Sequence, residues 1–161
     1  VSVGTMNLSY SELQRLISNI GIYYLNIKRD ASDILSEQKM LKGNTEELLK
    51  TIKFQAEETF FALEKGNFDD YGMSLDVYWK LKKQLSSKIS VPVVDQLYDV
   101  VRKEYGVLGG KIIGAGGGGF IMLYCPKNQK ALDLYMSSKG FPRLDFNVDN
   151  HGSMILGNFT N

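Results

Sequence analysis

A single cysteine and a single histidine exclude much of the chemistry that side-chain clusters carry. With Cys125 alone, no disulfide can close within the 161 residues. A chain of this length can bury a core without one, which fits a reducing compartment and an expected cytoplasmic location. With His151 alone, set in the turn-like stretch "DNHG", a histidine metal cluster is excluded and a Ser-His-Asp triad is not expected. His151 reads as a solvated turn residue, and no metal site is expected. Neither sign of charge is in excess: 19 Lys and Arg stand against 18 Asp and Glu, a net +1. No nucleic-acid partner is therefore expected. Long apolar runs are missing as well. The longest uninterrupted one, residues 120–125, falls far short of the ~20 residues of a membrane helix, so no membrane partner is expected. No basic stretch leads into an apolar one as a secretory signal would, and there is no G-x-x-x-x-G-K-[ST] phosphate loop.

What remains is ordinary globular composition, 43% hydrophobic and 23% charged, consistent with one domain over residues 1–161. The chain opens on Val1 rather than Met, as a piece of a longer protein would.

Glycine is not scarce, and it is unevenly spread. The stretch "GGKIIGAGGGGFIMLYC", residues 109–125, holds seven of the 16 glycines. It contains G-x-G-x-x-G, but the dinucleotide version of that pattern needs a helix after it to hold the pyrophosphate. The residues that follow, "FIMLYC", favour a strand, so a nicotinamide or flavin fold is disfavoured. A tight hairpin needs two glycines at most. Four consecutive glycines cost ~2–4 kcal/mol of backbone entropy relative to alanine. A turn that another backbone or a phosphate approaches closely gains from the missing Cβ atoms, and its N–H groups can converge on an anion.

Around the glycines the periodicity is legible. "SYSE" has capping-box spacing and starts a short helix at Ser9. Residues 20–27 read as a strand with two apolar faces, and residues 29–41 as a helix. Gly43 and Asn44 lead into a helix whose stripe is Leu48, Ile52, Ala56, Thr59/Phe60 and Leu63. Another begins at Asp69 and Asp70, acids in a first turn, with Tyr71, Leu75, Tyr78 and Leu85 inward. Pro92 opens the next, with Val94, Leu97, Tyr98, Val101 and Tyr105 inward and Gly106 closing it. Residues 111–113 and 120–124 read as strands and 127–138 as a helix. Residues 144–148 alternate as a half-exposed strand, with residues 153–156 as its hairpin partner. Strands joined by tight turns, with helices to one face, make an α+β fold.

The glycine stretch resembles the third motif of the GHMP small-molecule kinases. "YYLNIKRDASDIL", residues 23–35, and "WKLKKQLSSKISVPVVDQLYDVVRKEYGVLGGKIIGAGGGGFIMLYC", residues 79–125, are similar to the branch acting on D-glycero-D-manno-heptose 7-phosphate. The resemblance runs from about Leu8 to Leu156 and concerns the C-terminal half of those enzymes, a ferredoxin-like α+β domain. It implies an ATP- and Mg2+-dependent kinase of a sugar or sugar phosphate. The phosphate loop (P-x-x-x-G-L-x-S-S) and any catalytic acid would lie in an N-terminal kinase domain, a partner that this chain lacks. No catalytic residue is expected here. The glycine loop, Gly114, Gly116, Gly117, Gly118 and Gly119, would line the nucleotide and substrate cleft, and Gly117→Val would lower turnover while leaving the fold intact. Candidate substrate contacts are Arg29, Lys111, and Trp79 and Lys82, which share a helical face with Ser86. The family branch often reads T-G-I-T-R-S-A where this chain has Leu25-Asn26-Ile27-Lys28-Arg29-Asp30-Ala31; the Arg is kept and T-G is not. A different reading of the same residues is a stand-alone ferredoxin-like ligand-binding or regulatory module. A chain with a bare domain cleft is expected to expose an apolar patch.

Overall fold

The computed structural model describes residues 6–27 and 45–149. The helix expected over residues 29–41, its Gly43 and Asn44 boundary, Arg29, His151 and the strand expected over residues 153–156 lie outside the described residues.

Each helix starts where local chemistry permits. Helix α1 (Tyr10–Ser18) is capped by Ser9, whose Oγ accepts from the Glu12 N–H, while the Ser9 N–H donates to the Glu12 carboxylate at 2.8 Å. This reciprocal pair satisfies two otherwise orphaned donors. Strand β1 (Ile20–Tyr24) follows at once. Helix α2 (Thr45–Glu64) buries no residue fully. Leu48, Ile52, Thr59 and Leu63 are half-buried, whereas Ala56 and Phe60 of the expected inward stripe face solvent. Leu49, Phe54 and Phe61 are exposed too. Helix α3 (Phe68–Lys83) carries Asp69 and Asp70 in its first turn and Lys80, Lys82 and Lys83 in its last, each sign at the end its dipole favours. Helix α4 (Pro92–Tyr105) begins at proline and ends at Gly106, left-handed at φ 73°. Strands β2 (Gly109–Ile113) and β3 (Phe120–Tyr124), helix α5 (Gln129–Ser138) and strand β4 (Arg143–Leu144) complete the order.

The four strands form one antiparallel sheet in the order β2-β3-β1-β4. Alternation sorts the side chains. Tyr23, Ile112, Ile121 and Leu123 join Val94, Leu97, Tyr98 and Val101 of α4 and Leu132 and Met136 of α5 in the main core. Ile20 and Tyr124, with Ile22 and Met122, meet Leu16 of α1 and Phe68, Tyr71 and Leu75 of α3. The fold is therefore α+β, but α4 and α5 cover one face of the sheet while α1 and the first turns of α3 cover the other, which corrects the expectation of helices on one face. Helix α3 runs beside the edge strand β2 and reaches both clusters, with Trp79 in one and Phe68 in the other. It comes so close that a Cβ on Gly109 would overlap the Gly72 carbonyl. The helix thereby shields an edge that would otherwise template pairing.

Two strands are shorter than expected. Strand β1 ends at Tyr24 because Asn26 turns left-handed at φ 51°. Strand β4 stops at Leu144, correcting the expected run over residues 144–148. Its register sets Leu144 against Ile22. Continuing it would place Phe146 opposite Ile20 and Val148 opposite Ser18, which is already helical. Among the described residues no helix is long and apolar enough to cross a membrane.

Candidate functional site

The glycine turn, residues 114–119, joins β2 to β3 and is held from two sides by its own chain. The Gly117 N–H donates to the Ile89 carbonyl at 2.8 Å, from the segment between α3 and α4. On the other side the Gly119 N–H donates to the Ile27 carbonyl at 3.1 Å, and the Leu25 N–H donates to the Gly119 carbonyl at 2.8 Å. Two needs account for the glycines. Gly114, Gly116, Gly117 and Gly119 have φ of 91°, 115°, 75° and 79°, a region that residues with a Cβ rarely enter. At Gly116 a Cβ would sit 2.9 Å from the Ile89 carbonyl oxygen, and at Gly118 it would overlap that of Ile27. The close approach that the sequence implied is thus, at these two positions, an approach to the chain's own backbone. At Gly114 and Gly119 a Cβ would meet no atom within 4 Å; of the two, Gly114 is exposed, while Gly119 spends both its N–H and its carbonyl on the residues just after β1. Gly117 is buried, and a β-branched residue cannot sit at its φ without strain. This corrects the expectation that Gly117→Val leaves the fold intact.

Asn26 is the one described residue other than glycine with positive φ. Asn tolerates this conformation better than other side-chain-bearing residues. It stands where the resembling branch has glycine, between the two residues that bond Gly119. The departure from T-G therefore keeps the backbone shape.

The candidate substrate contacts separate. Trp79 is wholly buried in the main core; its place is packing, not ligand contact. Ser86 lies past the end of α3, buried, its Oγ accepting from the Lys88 N–H at 3.1 Å, so the expected face of Trp79, Lys82 and Ser86 does not form. Lys82 and Lys111 come together at the glycine turn. Lys82 Nζ donates to the Gly114 carbonyl at 2.8 Å. Lys111 Nζ stands 4.9 Å from the Tyr78 ring centroid and Lys82 Nζ 6.0 Å from it. Burial, and then the Lys111 charge, pull the Lys82 ammonium below the usual lysine range, since both disfavour a second positive charge there. Burial alone pushes the Tyr78 phenol up, so it remains protonated at neutral pH. The signal that could have paired these residues is the strand-helix adjacency of β2 and α3, which one-dimensional periodicity does not report.

A cleft of about 410 Å³, lined by Arg15, Asn19, Asp69, Asp70 and Tyr124 among others, opens at the far end of β3 from the glycine turn. Its polar groups engage one another: the Tyr124 hydroxyl contacts both Asn19 Nδ2 and Asp69 Oδ1 at 3.4 Å. Among the described residues no group of three or more His, Cys, Asp or Glu side chains could hold a metal ion.

Residues 61–135, from the end of α2 through the glycine turn into α5, match the family described as GHMP kinases C terminal. The L-fucokinase/L-fucose-1-P guanylyltransferase of Bacteroides fragilis is 32% identical over 115 residues, covering 69% of this chain and 12% of that protein. The D-glycero-alpha-D-manno-heptose 7-phosphate kinase of Campylobacter jejuni is 30% identical over 111 residues, covering 68% of this chain and 32% of that protein. The chain thus spans at most about a third of either curated relative. The Streptococcus pneumoniae phosphomevalonate kinase, in complex with phosphomevalonate and AMPPNP, matches in fold with a TM-score of 0.66 at 22% identity, over 78% of this chain and 38% of that one.

Proposed function

The chain carries the GHMP kinase C-terminal domain, and from that premise we propose that it is the C-terminal half of an ATP-dependent kinase of a sugar or sugar phosphate. The observation that carries this reading is the coincidence of the family match with the glycine turn and with two curated relatives whose names describe sugar or sugar-phosphate kinases. In this reading the small-molecule acceptor and the nucleotide meet in a cleft of which the glycine turn is one wall. A second, N-terminal kinase domain supplies the other wall.

Phosphoryl transfer needs little covalent chemistry from protein; it needs positioning and neutralised charge. This chain's share is positioning. The turn is braced on Ile89 and Ile27, so its exposed backbone at Gly114 does not have to be ordered when a ligand arrives. Lys82 and Lys111 bring positive charge to the same edge. Magnesium, which neutralises phosphate charge in such reactions, would draw its ligands from outside the described residues, as would the phosphate loop and any catalytic acid. The setting would be the cytoplasm, where ATP is supplied.

The test is ATP consumption by the full-length gene product against a panel of sugars and sugar phosphates. Turnover with at least one of them is expected. No ATP-dependent transfer to any member, from a folded full-length protein, ends the kinase reading and returns the chain to a ligand-binding module. Such a module would instead show ligand-dependent stabilisation of this chain alone.

A further inference from the structure

The last turn of α3 and the strand beside it carry four lysines that the structure treats differently. Lys80 pairs with Asp76 at 2.7 Å and Lys83 with Asp95 at 2.8 Å. Lys82 and Lys111 have no ion-pair partner among the described residues; one leans on a carbonyl, both on a tyrosine ring. Of these two, Lys82 reaches the glycine turn at the Gly114 carbonyl, and Lys111 meets Lys82 over the Tyr78 ring. They are also near enough for Lys111 to disfavour the charge on Lys82.

We propose that Lys82 and Lys111, drawn up to the Tyr78 ring beside Gly114, form a seat for the dianion of a phosphate ester. Two like charges gathered without a counter-ion among the described residues are an unfavourable arrangement, and a dianion placed between them relieves it. The geometry suits such a guest. An ammonium has three donors; Lys82 spends one on the Gly114 carbonyl, which fixes its direction and leaves two. Lys111 has its cation–π contact and keeps its donors. Lysine binds phosphate as a point charge without a fixed fork, so two of them accept oxygens from different directions. Gly114 is exposed, with nothing within 4 Å of where a Cβ would stand, so no side chain bars the approach. This rests on the kinase reading for the molecule that delivers the phosphate, either a phosphorylated acceptor or the nucleotide. The seat itself stands on the lysines.

The 161-residue chain, followed by NMR at the Gly114 amide and the two lysine side chains, is titrated with inorganic phosphate, a sugar phosphate, the unphosphorylated sugar and AMPPNP. Saturable shifts at all three positions are expected with phosphate and with a phosphorylated ligand, and none with the neutral sugar. Whichever of sugar phosphate and AMPPNP binds more tightly identifies the source. Lys111→Ala and Lys82→Ala should each weaken phosphate about tenfold, and Lys82→Arg should restore most of it. Lys111→Ala loses only a ring contact, so it guards against a Lys82 variant that fails to fold. Equal shifts from the sugar and its phosphate, or undiminished phosphate binding by folded Lys111→Ala and Lys82→Ala, overturn the proposal. Failure is separable from that of the kinase reading. A full-length protein without ATP-dependent transfer, but with phosphate still seated here, loses only the latter. A working kinase whose Michaelis constants for ATP and phosphorylated acceptor both ignore Lys111→Ala loses only the seat.

Discussion

The backbone of Gly118 lies so close to the Ile27 carbonyl that a Cβ there would overlap the oxygen, and the next N–H, of Gly119, donates to that same oxygen at 3.1 Å. The turn and the end of β1 are one unit. Gly118→Ala should therefore force the two apart, costing ~1–3 kcal/mol for the overlap and ~1 kcal/mol for the weakened bond. Gly114→Ala meets no atom and should cost only its backbone strain, ~1–2 kcal/mol. Urea unfolding of both variants gives the order; Gly114→Ala as the more damaging would contradict this geometry.

Asn26 supplies the same unit with its left-handed residue. Because glycine enters that region freely, Asn26→Gly should leave stability within ~0.5 kcal/mol of the parent, whereas Asn26→Ala should lose ~1 kcal/mol. Thermal or urea midpoints compare them. A loss from Asn26→Gly as large as that from Asn26→Ala would mean that the side chain, and not φ, matters.

Asp76 is a buried carboxylate between helices. It accepts from the Tyr98 hydroxyl at 3.1 Å and pairs with Lys80 at 2.7 Å and Arg102 at 3.0 Å. Removing one partner of a buried pair leaves the others uncompensated, so Asp76→Ala should cost ~3–5 kcal/mol. Lys80 is largely exposed, 61% for its side chain, and Lys80→Ala should cost less than ~1 kcal/mol. Chemical denaturation of the two variants checks the ratio, and comparable losses would be the contrary result.

Two buried phenols set an alkaline limit. Burial, and then the Asp133 carboxylate that accepts its hydroxyl at 2.7 Å, push Tyr23 well above the ordinary tyrosine range. Burial, and then the charge of Asp76, do the same to Tyr98. Folded, these groups hold their protons to higher pH than when unfolded. The stability they contribute is whole below the unfolded phenol value near ~10 and is lost as pH rises through it toward the folded values. Unfolding free energy measured from pH 8 to 11 should fall at the upper end, and Tyr98→Phe should flatten the fall. A pH-independent stability over that range would contradict both assignments.

Local order was legible where one residue decides one event. Ser9 with Glu12, Pro92 with Gly106, and the stripe Val94, Leu97, Tyr98 and Val101 carry their meaning within a turn or two of helix, and the structure has them as the spacing implied. The hairpin flanking the glycines was readable for the same reason. Readings that depended on a remote partner went astray. Trp79 looks like a substrate contact on the face of Lys82 until α3 is laid beside β2, where it enters the core. Phe60 looks like core until α2 is seen to pack, among the described residues, mainly on α3, which leaves Phe60 exposed. The strand after α5 cannot run through Val148, because its partner there would be Ser18, already helical.

Sequence alone determined the α+β order and the glycine turn and carried the resemblance to the family, because propensity, capping and motif are properties of neighbouring residues. Only the tertiary structure decided which glycines serve the chain's own packing and which two lysines, without an ion-pair partner among the described residues, meet at the Tyr78 ring. Both depend on what Ile27, Ile89 and Tyr78 bring from far along the chain, and distance through space is not written in spacing along it.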